Sequence, residues 1–133
     1  MNASRDHILL IDDDRDIHHA VKLILESAGY RVSCHATGPA GVEALRREPP
    51  DLVLLDIMLA SPEEGLELAA ELRQDDRLSR IPVIMLSSIG RHVCADWTGQ
   101  TASGRAAASG FLEKPLAAQT LLTAVREALK SEK

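Results

Sequence analysis

Four short apolar runs each end on a side chain able to do chemistry. Ile8-Leu9-Leu10-Ile11 runs into Asp12-Asp13-Asp14, and Leu52-Val53-Leu54-Leu55 runs into Asp56. Pro82-Val83-Ile84-Met85-Leu86 leads to Ser87-Ser88, and Gly110-Phe111-Leu112-Glu113 to Lys114-Pro115. Clustered carboxylates repel one another, and a hard divalent cation with oxygen ligands relieves that repulsion. Magnesium suits the set, with manganese as a substitute, because it accepts one or two carboxylates and keeps positions for water and phosphate oxygens. A hydroxyl and an ammonium nearby would take a phosphoryl group's remaining oxygens. The chemistry indicated is phosphoryl transfer to or through a carboxylate.

These groups can meet only if the runs are parallel strands whose carboxyl ends share one edge of a sheet. Continuous apolar runs suit strands buried on both faces. Arg31-Val32-Ser33-Cys34-His35 alternates polar and apolar residues, as an edge strand does. Between the strands, Ile17, Val21, Ile24, Leu25 and Ala28 recur at helical spacing, with Gly29 closing that helix. Val42 and Leu45 mark a short helix ending before Pro49-Pro50. Leu68, Ala69 and Leu72 mark a third, and Leu121, Leu122, Val125, Ala128 and Leu129 a last one. The alternation predicts an α/β fold of about five strands and five helices, with helices on both faces of a parallel sheet. Ser88 to Ser109 should hold the fourth helix, but Gly90, Gly99 and Gly104 interrupt it; one broken helix or two short ones fit equally.

The chain's 133 residues fit a single domain, 1–133, with a core of about 6–129. Fifteen basic against twenty acidic residues give a net charge of −5 without a basic stripe, which argues against direct nucleic-acid binding. No apolar run approaches the roughly 18 residues of a membrane span, and MNASRDH does not read as a signal peptide. Cys34 and Cys94 lack ligand spacing and suit reduced thiols in a cytoplasmic protein. His18 and His19 are expected to be exposed on the first helix, and His7, His35 and His92 show no ligand spacing. Gly99 to Gly104 has the glycine spacing of a phosphate loop, but Arg105-Ala106 replace the Lys and hydroxyl that loop needs.

Taken in order, the four apolar runs and their polar ends resemble the receiver domain of two-component response regulators, close to the single-domain chemotaxis regulators. The resemblance implies a flavodoxin-like doubly wound (βα)5 fold with strand order 2-1-3-4-5. It implies that Asp56 accepts a phosphoryl group from a sensor histidine kinase or a histidine phosphotransferase. Asp13 would ligate magnesium directly and Asp12 mostly through water, with Asp56 and the backbone carbonyl of Met58 completing the protein ligands. Ser87 would be the switch hydroxyl, Lys114 the ion-pairing lysine, Pro115 its supporting neighbour and Phe111 the aromatic rotamer switch. Phosphorylation would then shift the loop after the fourth strand and remodel the surface of the fourth helix, fifth strand and fifth helix. The listener would be a downstream protein or a fused output domain, with the chain a monomer or a phosphorylation-linked dimer. No catalysis is implied beyond gaining and losing its own phosphoryl group.

The sequence departs from the family pattern at two places. Gly65 lies one residue farther from Asp56 than expected, so Ala60-Ser61-Pro62-Glu63-Glu64 carries an insertion. The 27 positions from Ser87 to Lys114 are also more than is common. Met58 and Ile89, both apolar, would shield the acyl phosphate and slow its hydrolysis. Two other functions fit parts of the pattern. A haloacid-dehalogenase-like phosphatase would use Asp12 and Asp14 as its Asp-x-Asp pair, but would lack a later acidic pair and leave Asp56 idle. A degenerate receiver would signal by protein contact alone, although all five site positions are present.

Overall fold

The computed structural model describes residues 6–56, 68, 70–72, 74–76, 78–87, 110–114 and 116–131, with only the backbone given for Ser87, Gly110, Phe111 and Ser131. Every run predicted as a strand is one: β1 (His7–Ile11), β2 (Arg31–His35), β3 (Leu52–Asp56), β4 (Val83–Ser87) and β5 (Gly110–Glu113). They form one parallel sheet in the order β2-β1-β3-β4-β5. β2 therefore lies at an edge, and its residues are only partly covered.

The helices follow their sequence signals closely. α1 (Arg15–Ser27) starts at Asp14, whose carboxylate accepts the Asp16 N–H at 2.9 Å and caps the helix. It ends where Gly29 adopts φ 99°, with the Gly29 N–H donating to the Glu26 carbonyl and the Tyr30 N–H to that of Leu25. This paired reversal needs a left-handed residue, which glycine supplies without a Cβ penalty. α2 (Gly38–Arg47) is capped by Thr37 and stops before Pro49-Pro50. Leu68, residues 70–72 and Gln74 are helical where the third helix was expected. The last helix spans Ala118–Ser131. The expected fourth helix, the inserted loop at 60–64 and Ile89 lie outside the described residues.

Alternation along the strands divides the core in two. Leu9, Ile11, Val53, Leu55, Val83 and Met85 face α2 and the helical residues Leu68 and Leu72. Ile8, Leu10, Leu52, Leu54, Ile84 and Leu86 face α1 and the last helix, meeting Val21, Leu25, Leu121 and Val125. α2 sits so close to β1 that a Cβ on Gly41 would lie 2.5 Å from Ile11 Cγ1, beside a fully buried side chain. A Gly41→Ala variant is expected to lose about 1–3 kcal/mol by overpacking, outweighing alanine's better helix propensity. Urea titration checks this, and an unchanged midpoint would contradict the close approach.

The amino edge of the sheet carries a buried histidine. The His7 ring Nε2 is hydrogen-bonded to the Ser33 hydroxyl at 2.7 Å, while its Nδ1 is buried with no partner. The His7 backbone N–H donates to Asp51 Oδ2 at 2.7 Å. Burial, and then the Arg31 charge, push the His7 pKa below its ordinary value; Glu48 and Asp51 oppose them, and His35 adds a smaller lowering. His35 is likewise lowered, first by burial and then by the His18 ring and Arg47. A base whose folded pKa is depressed leaves stability intact above its unfolded pKa and costs stability as pH falls through and below it. The melting temperature should therefore drop as pH falls below about 6.5. A His7→Gln variant should show a shallower drop; an identical slope would exclude His7 as a source.

Candidate functional site

The strand register sets up the site before any side chain is considered. Ile11 pairs with Leu55, so Asp12 and Asp56 stand one step further along adjacent strands. Asp56 pairs with Leu86, and Ser87 with Glu113, so Ser87 and Lys114 follow at the same rim of the sheet. Four sequence-distant stretches thus deliver their polar ends to one place, as the apolar runs implied.

The side chains of Asp12, Asp13, Asp56 and Lys114 do meet. One oxygen from each of the three carboxylates lies within 4.8 Å of the other two. Lys114 Nζ is 2.7 Å from Asp12 Oδ2 and 3.6 Å from Asp56 Oδ2, so the lysine pairs first with Asp12. Asp12 is fully buried and Asp56 nearly so, whereas Asp13 is exposed to solvent. Burial alone would lower the Lys114 pKa, but contact with Asp12 and the charges of Asp12, Asp56 and Asp14 outweigh it and raise it.

Asp12 is held from several directions. Its N–H donates to the His35 carbonyl at 3.0 Å, tying the ends of β1 and β2 together. Its Oδ1 accepts the Asp14 N–H at 2.9 Å, which folds the acidic turn into the start of α1. Its carbonyl accepts a hydrogen bond from His18 Nε2. Oδ2 is buried and meets the Lys114 ammonium at 2.7 Å, a charge-assisted contact. His18 is therefore half-buried against the acidic turn and not exposed as expected, while His19 is exposed. The signal was present: residue 18 follows the buried Ile17, and helical side chains lean back toward the N-terminus.

The donor set fits a hard divalent cation. Three carboxylates face one ammonium, and exposed Asp13 leaves room for water ligands. Ser87 stands at the end of β4 with its side chain outside the described residues, as is the Phe111 side chain on β5. Met58 and Pro115 also fall outside them. A groove of about 470 Å³ bordered by Pro39, Val42, Arg46, Leu68 and Glu71 lies on the α2 side, and its lining lacks the clustered carboxylates of the rim.

Known proteins share both the sequence and the shape. The chain is 33% identical over 128 residues to the transcriptional regulatory protein CseB of Streptomyces coelicolor, covering 96% of this chain and 51% of that protein. It is 37% identical over 123 residues to the DNA-binding dual master transcriptional regulator RpaA of a Synechocystis species, covering 92% and 48%. The chain thus spans about half the length of these relatives. Among solved structures, the receiver domain of NtrX from Brucella abortus superposes with a TM-score of 0.78 at 30% identity, covering 92% of this chain and 98% of that one. The receiver domain of a sensor histidine kinase from Pseudomonas aeruginosa, with a magnesium ion coordinated in its active-site cleft, gives 0.78 at 25% identity, covering 96% and 99%. A model of the response regulator receiver domain matches residues 8–126, and with the five-stranded order and the acidic rim already in place, the chain belongs to that family.

Proposed function

We propose that Asp56 is the phosphoacceptor of this receiver domain, with Lys114 and Ser87 as the groups that receive the phosphoryl oxygens. The observation that carries this reading is the convergence of Lys114 Nζ on both Asp12 and Asp56 at the rim where three carboxylates cluster. An Asp56 carboxylate oxygen attacks phosphorus on a phosphohistidine; the P–N bond breaks, and its electron pair and a proton go to the departing imidazole. Asp12, Asp13, Asp56 and the Met58 carbonyl would hold the cation, which when bound neutralises charge on the transferring oxygens. Asp12 itself is a poor nucleophile, since Oδ1 accepts the Asp14 N–H and Oδ2 faces Lys114. This weighs against the phosphatase alternative.

The added charge and acceptor oxygens would draw Lys114 from Asp12 toward the phosphoryl group and pull Ser87 inward, with Phe111 following as a rotamer switch. The donor is a sensor histidine kinase or histidine phosphotransferase in the cytoplasm, and the listener is a downstream protein or a fused output domain. The chain from 1–133 acts as one receiver unit whose only catalysis is acquisition and slow loss of its own phosphoryl group. No helix among the described residues is long and apolar enough to cross a membrane. Intact mass after incubation with acetyl phosphate and magnesium tests the proposal. Wild type should gain one phosphoryl group and Asp56→Asn none; continued donor turnover by Asp56→Asn would instead favour a phosphatase.

A further inference from the structure

Asp13 is exposed, and its carboxylate has no hydrogen bond of its own among the described residues, so its direction depends on the backbone that carries it. That backbone is held on both sides of one residue. The Asp12 N–H donates to the His35 carbonyl, and the Asp12 carbonyl accepts from His18 Nε2 at 2.5 Å. No backbone N–H among the described residues reaches that carbonyl. Because the peptide unit is planar, fixing the Asp12 carbonyl also fixes the Asp13 N–H and the bond to the Asp13 Cα. Freed of that partner, the Asp12–Asp13 plane would be restrained on its far side only by the Asp14 N–H bond to Asp12 Oδ1, and the exposed carboxylate could swing away from Asp12 and Asp56.

His18 is itself well anchored for this task. Its backbone N–H donates to the Asp14 carbonyl at 3.2 Å in the first turn of α1, and its neighbour Ile17 is buried in the core. The ring thus reaches back from a rigid element, not from a loop. We propose that His18 is a positioning residue for cation binding: its Nε2–H locks the Asp12–Asp13 peptide and so aims the Asp13 carboxylate at the ion. The inference rests on Asp13 being a metal ligand, as read above.

Manganese alone is the probe, with free ion counted by electron paramagnetic resonance on wild type, His18→Leu, His18→Gln and Asp13→Asn. Leucine keeps the bulk but cannot donate, whereas the glutamine amide can reach the same carbonyl. One hydrogen bond of ordinary net strength corresponds to roughly three- to tenfold in affinity. His18→Leu should therefore bind manganese more weakly by that factor, and His18→Gln should return to within about twofold of wild type. Metal-free melting of each variant separates lost affinity from lost folded protein. Wild-type affinity in His18→Leu, or equal weakening in both His18 variants, overturns the proposal while Asp13→Asn still shows the ligand role. Undiminished binding by Asp13→Asn overturns the ligand reading and the proposal with it.

Discussion

A Lys114→Met variant is expected to lose about 3 kcal/mol of stability at neutral pH without divalent cations. The lysine meets Asp12 Oδ2 at 2.7 Å, and that carboxylate is fully buried. Removing one partner of a buried pair leaves an uncompensated charge in a poorly solvated place, which costs more than the pair itself contributes. Here two further carboxylates stand within 4.8 Å and add repulsion that the ammonium had relieved. Urea unfolding in the presence of a chelator measures the loss, and magnesium should restore part of it by supplying positive charge. An unchanged midpoint would mean that the rim is far better solvated than its burial implies. The pH dependence has a definite sign. The folded Lys114 pKa is raised, so its contribution is complete below the ordinary lysine pKa and is lost as pH climbs through the folded value. Wild type should weaken along that alkaline limb, and Lys114→Met should not.

Asp56→Asn should abolish phosphorylation from acetyl phosphate, by several orders of magnitude, as expected when a nucleophile is removed from the group that acts with it. The amide keeps the shape of the side chain but has no oxygen nucleophilic enough to attack. The same substitution should make the metal-free protein more resistant to urea, because it removes one of three mutually repelling charges. Loss of phosphorylation together with gain of stability is the distinguishing pair: a variant that simply misfolded would lose both. Residual phosphorylation at the wild-type rate would move the acceptor elsewhere.

The sheet was legible because burial on both faces leaves a plain signature. Ile8 to Ile11 and Leu52 to Leu55 carry no polar residue, and both strands are wholly covered. The meeting of Asp12, Asp56 and Lys114 was legible for the same reason, since a charged group directly after such a run is carried to the rim of the sheet. Gly29 could be placed because a left-handed turn favours a residue without a Cβ. Pairings between side chains were another matter. Nothing in the order of residues says that Lys114 sits nearer Asp12 than Asp56, or that His18 folds back onto the Asp12 carbonyl. Those facts depend on where helices dock over the strands. The burial of His7 was not legible either, because it comes from its place at the start of β1 beside Arg31 of β2, not from its neighbours in sequence.

Every ladder in the sheet joins segments that are far apart along the chain. His7 pairs with Arg31, Ile8 with Leu52, Val53 with Val83 and Ile84 with Gly110, which are 24, 44, 30 and 26 residues apart. Among the described residues no hairpin offers a cheap local start, so each of these pairings must close a long loop before its hydrogen bonds form. Refolding should consequently be slower than for a helical bundle of this length, with nucleation depending on distant strands finding one another. Variants that weaken the β1–β3 contact should slow folding more than those that fray the ends of α1.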